Sequence, residues 1–316
     1  MKKHIFELHN ILCIGVFNGF DSLKNYPNVY TYHSIYKKIN GISKYIYKLK
    51  EHGISLGNNE DWYGDWKYLL NKVDTVILSD GIRGRDIVEY IHKKNHRARI
   101  IIYYMNPNFG EGRNAPLKYK DLPCELVTFD EKNAKDYQIK FKHYYYPYMN
   151  IRSYRPYMNF KQDIFFIGED KGRLDTLLNL KEIFESHNLK CKFLILKTKH
   201  KFYWCHRNGL INESVPYEEV IKEIKNSRAI LDIVQDRQHG ITYRPMEAMC
   251  FQKKLITNFE EITHYNFYNK NNIFRLGHDN MNDIEKFILT PYIPIDDEIR
   301  KEYVIENWMD SFFEVV

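Results

Sequence analysis

The chain of 316 residues has no apolar run of the roughly 18 residues needed to span a bilayer as a helix. Its mean hydropathy of −0.56 agrees with that. It has five cysteines, Cys13, Cys124, Cys191, Cys205 and Cys250, an odd number with no C-x-x-C spacing. That pattern fits free thiols in a reducing compartment. There is no G-x-x-x-x-G-K-[ST] and no G-x-G-x-x-G, which removes the P-loop and the common dinucleotide fingerprint. No D-x-D stands between strands, so no carboxylate pair is set out for a divalent ion, and we expect neither a metal nor a cofactor. The opening MKKHIFELHNILCIGVF places two lysines before apolar residues, as a signal peptide does. Glu7, His9 and Asn10 interrupt that run and no small-residue cleavage site follows, so it reads as the first strand of a cytoplasmic domain.

Hydrophobic residues make up 44% of the chain, enough for a sizeable core. The net charge of +6 is modest: it fits a lysine-rich surface, and equally contact with phosphates or an anionic membrane face. Twenty-six tyrosines are many, and Tyr103-Tyr104 and Tyr144-Tyr145-Tyr146 form runs. Aromatics interleaved with lysine can stack single-stranded nucleic acid. Both runs fall in predicted strands, which assigns them to packing instead.

Apolar runs of strand length alternate with helix-period segments throughout, the signature of an α/β protein. Strands are predicted over Ile11–Phe17, Val73–Ser79, Arg99–Met105, Glu125–Phe129 and about Lys142–Tyr146, with helices over Ser34–Glu51, Asp61–Lys72 and Arg85–Lys94. Pro147–Gln162, with its prolines and no period, reads as a linker. Beyond it come strands Ile164–Ile167, Lys192–Lys197, Ala229–Val234, Lys254–Thr257 and Ile273–Leu276. Helices Leu174–Ser186, Pro216–Asn226, Tyr243–Phe251 and Met281–Leu289 lie between and after them. The expectation is two tandem α/β domains with a cleft between, residues 1–150 and 151–295. A terminal amphipathic helical segment, 296–316, would pack back on the first domain.

Two constellations could carry chemistry. Gly168-Glu169-Asp170-Lys171-Gly172-Arg173 joins a strand to a helix. Its glycines let the backbone approach a ligand, the helix start offers N–H groups, and Lys171 and Arg173 add positive charge for a diphosphate. A solvated turn explains the same residues. The second lies inside the β-α-β unit Ala229–Asn258, where a loop with Gln238, His239, Gly240 and Thr242 leads into a helix carrying Arg244 and Glu247. Glu247 stands among apolar neighbours and so needs a partner. The plain reading is an ion pair to Arg244 at i,i+3; the functional one has Glu247 accepting from ribose while Arg244 and the loop face phosphate or sugar. For an acid or base, Asp80 at a strand end is the best placed, with His33 and Asp130 behind it; a strand-end Asp is commonly a helix cap.

The run H-G-I-T-Y-R-P-M-E-A-M followed by K-K-L-I-T-N resembles the donor-binding segment of GT-B glycosyltransferases. More narrowly it resembles a family of bacterial capsule and lipopolysaccharide biosynthesis glycosyltransferases. I-I-Y-Y-M-N-P (Ile101–Pro107), V-T-F-D (Val127–Asp130), F-F-I-G-E-D-K-G-R (Phe165–Arg173) and L-D-I-V-Q (Leu231–Gln235) continue the likeness over residues 70 to 290. The resemblance implies two Rossmann-like domains facing a cleft. A nucleoside diphosphate sugar would sit in the second, held by Gly168, Lys171, Arg173, Gln238, Gly240, Thr242, Arg244 and Glu247. A saccharide acceptor, lipid-linked in that family, would face the first, where Asp80 is the candidate base. Glu247 matches the second glutamate of an E-x7-E motif; His239 replaces the first and is the other candidate catalytic residue. Peripheral contact with the inner face of the plasma membrane is implied, and nucleic acid is not. Two other classes fit the same chain: a nucleotide-sugar epimerase of this fold, and a non-enzymatic polyanion or nucleic-acid binder.

Overall fold

A computed structural model of the chain describes residues 3–15, 20–37, 59–82, 84–106, 110, 112, 114–147, 159–198, 201, 203, 209–234 and 239–314. The chain divides into two compact units, Met1–Pro147 with Ile305–Val316, and Tyr148–Val304. Among the described residues no helix is long and apolar enough to cross a membrane.

The first unit is built on β1 (Ile11–Ile14), β2 (Val29–Tyr32), β3 (Thr75–Ser79), β4 (Arg99–Tyr104), β5 (Glu125–Thr128) and β6 (Lys140–Phe141), with α1 (Asp86–Lys94) and α2 (Glu131–Tyr137) between strands. The sheet order is β2-β1-β3-β4-β5-β6 and every pairing is parallel. Parallel strands covered on both faces must be apolar on both. That is why the central strands read as unbroken runs, ILCI in β1 and TVILS in β3, all buried. The order reverses between β1 and β3, so the carboxyl ends of those two strands flank a topological switch point.

The second unit has β7 (Gln162–Glu169), α3 (Leu174–Ser186), β8 (Cys191–Leu196), β9 (Leu210–Ile211), α4 (Tyr217–Lys225), β10 (Ser227–Asp232), α5 (Tyr243–Cys250), β11 (Lys254–Thr257), β12 (Ile273–Arg275), α6 (Ile284–Leu289) and α7 (Asp297–Lys301). Its order is β12-β11-β10-β7-β8-β9, again all parallel. Counted from the unit's first strand this is the 3-2-1-4-5-6 order of dinucleotide-binding sheets, with its switch point between β7 and β10. The predicted β-α-β unit is present: β10 and β11 pair in parallel from Ala229 opposite Lys254, and α5 crosses between them. The α/β class and the two Rossmann-like parallel sheets are therefore observed.

Four local expectations fare differently. The helix expected at Asp61–Lys72 is two 3-10 segments, Asn59–Trp62 and Asp65–Lys72. Tyr63 bridges antiparallel to Tyr36, and the Gly64 N–H donates to the Ile35 carbonyl, so the backbone there is spent on another strand. Those contacts also keep 34–37 out of a helix; the remainder of the helix expected at Ser34–Glu51 lies outside the described residues. The strand expected at Lys142–Tyr146 is displaced to β6, and Tyr145 and Tyr146 are buried beside it. The terminal helix is two short ones, α7 and α8 (Ile305–Asp310), separated at Glu302–Val304, and only α8 belongs to the first unit.

Within the first unit α8 is anchored by aromatic packing. Trp308 meets Tyr103 edge-on at 4.9 Å and Tyr145 at 4.5 Å, while His4 Nδ1 and the Phe6 N–H both reach Asp310. Trp308→Ala should cost about 3–5 kcal/mol by removing a buried indole; a denaturant titration showing less than about 1 kcal/mol would contradict this role. At the amino end of β11, Lys253 is 3% exposed and gives its ammonium to the Lys225 carbonyl at 2.8 Å. Burial, with Arg228 and Lys225 nearby, pushes it down to about 7 from 10.5. Between those values the unfolded chain holds the proton and the folded chain does not, so this residue makes stability rise with pH. Lys253→Met should thus gain most over the parent at or below pH 7, and the gain should fade by pH 10 in paired thermal melts.

Candidate functional site

The carboxyl ends of β7 and β10 lie side by side, and Arg173 joins them. Its Nη2 donates to the Glu169 carbonyl at 2.6 Å, its Nε to the Asp170 carbonyl at 3.3 Å, and its Nη1 to the Ile233 carbonyl. Gly168 makes room for this, because a Cβ there would meet the Phe166 ring at 3.2 Å and Arg173 Nη2 at 3.5 Å. A guanidinium has five N–H donors, so this arrangement leaves two for another acceptor. Burial lowers the Arg173 pKa, opposed by Asp232, Asp170 and Glu169.

The turn before α3 bends through two left-handed residues, Lys171 (φ 44°) and Gly172 (φ 87°). A Cβ on Gly172 would meet nothing within 4 Å, so this backbone faces open space. Lys171 is exposed and its N–H is held by Thr198 Oγ1 at 2.9 Å. Asp170 is fully buried and accepts from the Leu174 N–H at 2.8 Å, Lys201 Nζ at 2.6 Å and Tyr203 Oη at 2.7 Å. Burial alone would raise its pKa; Lys201, Tyr203 and the helix N–H outweigh that and lower it.

The second half of the site is organised by Asp232, at the end of β10 and 3% exposed. Thr242, which caps α5 by accepting the Arg244 N–H at 3.1 Å, donates to Asp232 Oδ1 at 2.9 Å. Thr257, ending β11, donates to Oδ2 at 3.0 Å. One carboxylate therefore ties two strand ends and a helix start. Burial raises its pKa against those two hydroxyls and the charges of Arg244 and Arg173. One turn along α5, Glu247 is wholly buried, accepting from Tyr217 Oη at 2.7 Å and from Arg244 Nη1. Burial raises its pKa too, against the Arg244 charge and the Tyr217 hydroxyl, with Asp232 adding to the rise. Arg173, Asp232, Arg244 and Glu247 thus form one network of two cations and two anions.

The structure brings Gly168, Arg173, Thr242, Arg244 and Glu247 to this switch point, with Lys171 on the adjoining turn. The plain i,i+3 pairing of Arg244 with Glu247 is present. Gly240 is buried just before α5, and Gln238 lies outside the described residues. His239 sets Nδ1 3.2 Å from Glu261 Oε1. The helix-start amides contribute less than expected: Thr242 holds the Arg244 N–H, Pro245 has none, and Asp170 takes the Leu174 N–H. Positive charge at this site comes from side chains.

Asp80 belongs to the first unit, at the end of β3. Its Oδ2 accepts from the Asn106 N–H and Nδ2, both at 3.1 Å, and burial raises its pKa against those bonds. Asp130 is a helix cap, accepting the Asn133 N–H at 2.8 Å, and His33 is exposed. Asp232, Tyr217, Lys201 and Tyr203 fall outside the two constellations read from the sequence, and Asp170 lies inside the first with no role assigned to it. Asp232 was the most accessible of them, as a carboxylate inside the apolar run LDIV.

No family model matches the chain, and no curated protein does. Among solved structures it is similar to the glycotransferase of kitacinnamycin, at TM-score 0.41 and 8% identity over 96% of this chain and 93% of that one. It is also similar to a GtfA/B complex bound to UDP and GlcNAc, at TM-score 0.31 and 15% identity. That likeness covers 78% of this chain and 57% of that one, so the chain spans little more than half its length. Likenesses this distant carry nothing about ligand or reaction.

Asp232→Ala should cost about 3–5 kcal/mol, since it strips a buried carboxylate from two hydroxyls and two arginines. Asp232→Asn, which keeps the shape, should cost less. Equal, small losses in urea titrations of both variants would show that the network holds nothing together.

Proposed function

We propose that the second unit binds a nucleoside diphosphate sugar and that the protein is a glycosyltransferase passing that sugar to a saccharide acceptor. One observation carries the reading: Arg173 and Arg244, each with N–H donors left over, meet beside buried carboxylates at the switch point of a 3-2-1-4-5-6 sheet. Ligands of such sheets lie outside the strand carboxyl ends at that point. The resemblance of H-G-I-T-Y-R-P-M-E-A-M and F-F-I-G-E-D-K-G-R to donor-binding segments supports it, since these are the stretches that supply the network.

In this reading the leaving diphosphate gains negative charge as the glycosidic bond breaks, and donors fixed beforehand stabilise it. Arg173 and Arg244 supply them from half-buried positions and Lys171 from the exposed turn, without a metal. The Arg173 guanidinium is locked by three carbonyls, so it need not reorganise during the reaction. Glu247 would take ribose hydroxyls, and His239, steadied by Glu261, would contact the sugar. Asp80 is the proposed base on the acceptor: it is a carboxylate at a strand end, and burial raises its pKa against the Asn106 hydrogen bonds. A lipid-linked acceptor, surface polysaccharide synthesis and peripheral contact with an anionic membrane rest on the family resemblance alone.

Nucleoside diphosphates should raise the melting temperature by several degrees, about 2.7 kcal/mol at a hundredfold excess over Kd. Lys171→Ala and Arg244→Ala should each weaken binding about tenfold by removing a charge-assisted bond to phosphate. A panel of nucleotides giving no shift at millimolar concentration would refute the reading.

A further inference from the structure

Glu247 presents a difficulty for any ligand. A group meant to hold ribose must be reachable, yet this carboxylate has no exposed surface. Both of its oxygens are engaged, Oε1 by the Tyr217 hydroxyl at 2.7 Å and Oε2 by Arg244. The two partners differ in kind. Arg244 is on the same helix one turn away, and its charge is the largest influence opposing the effect of burial on Glu247. Tyr217 comes from another element, the first residue of α4, directly after Pro216, and is only partly buried. It offers the carboxylate one neutral O–H, the same group a ribose hydroxyl offers.

We propose that Tyr217 gates Glu247, its phenol occupying the place on Oε1 that a ribose hydroxyl of the nucleoside diphosphate takes when it binds. This rests on the reading of the site given above and adds the residue that competes with ribose for Glu247. The geometry favours exchange at Oε1 over Oε2. Replacing one neutral hydroxyl by another leaves the buried charge paired with Arg244, whereas displacing Arg244 would strand it. At the carboxylate the exchange is balanced, one neutral hydroxyl given up and one gained. A ligand with phosphates but no ribose cannot make the trade, so the phenol competes with nucleotides alone and leaves pyrophosphate and inorganic phosphate unaffected.

The test compares UDP, GDP, ADP, inorganic pyrophosphate and a dideoxy diphosphate lacking both ribose hydroxyls, by calorimetry on the full chain and on Tyr217→Phe. Removing the competing hydroxyl should tighten the preferred nucleoside diphosphate roughly three- to tenfold, the worth of one hydrogen bond. Pyrophosphate and the dideoxy analogue should be unchanged. Using the ratio of nucleotide to pyrophosphate affinity cancels any general effect on the fold, and Tyr217→Ala, which also removes the ring, should give the same or a larger ratio. An unchanged or lowered ratio in both variants, with the parent still binding nucleotide, overturns the gate alone. If neither parent nor variants bind nucleotide or pyrophosphate, the reading of the site falls and the gate with it.

Discussion

The Arg173 guanidinium spanning the ends of β7 and β10 is the contact on which the second unit's site depends. Where a parallel sheet reverses its order, the two central strands send their following loops to opposite sides and leave a gap at their carboxyl ends. Backbone carbonyls at that gap have no strand beyond them to accept from. Arg173 satisfies the Glu169, Asp170 and Ile233 carbonyls with one side chain, and its charge stays at the gap. The same group therefore closes the sheet and makes the spot attractive to an anion.

A cation held there needs a counterion, because burial works against its charge. Asp232 answers it from the end of β10 and is itself satisfied by the hydroxyls that end β11 and start α5. Arg244 and Glu247 repeat the pairing one helical turn on. Two opposed pairs set the cations beside carboxylates, and Lys171 adds an exposed charge on the adjoining turn. Selection would fall to donors in fixed directions and to hydroxyl recognition at Glu247, which suits a nucleoside diphosphate better than a simple anion. Buried ion pairs are weak contributors to stability but costly to break, so removing a single partner should do more harm than its exposure or distance from the ligand would suggest.

Much of this was legible in the sequence, and the reason is physical. Strands buried on both faces are largely apolar, so β1, β3, β4, β10 and β11 stand out as runs, and Lys254–Thr257 is found at its predicted limits. Thr242 before Arg244 marks a helix start by its own chemistry. Where the reading missed, a partner distant in sequence decided the outcome. Tyr63 and Gly64 break a helical pattern because residues 35 and 36 claim their backbone. The two-residue strands β6 and β9 are too short to show a period. Arg173 was chosen for its charge, but its bond to Ile233 spans 60 residues, and Tyr217 reaches Glu247 across 30. No local pattern encodes such pairs, whereas Arg244 and Glu247, three residues apart on one helix, could be paired from their spacing.

Hydrogen exchange of the full chain with and without a nucleoside diphosphate tests the central claim most directly. A nucleotide bound at the switch point would bridge two segments distant in sequence, the turn and helix start at 168–177 and the helix start at 240–249. Both should exchange more slowly together when the nucleotide is present, with 305–314 unchanged. Binding that protects only one of the two segments, or neither, would contradict it.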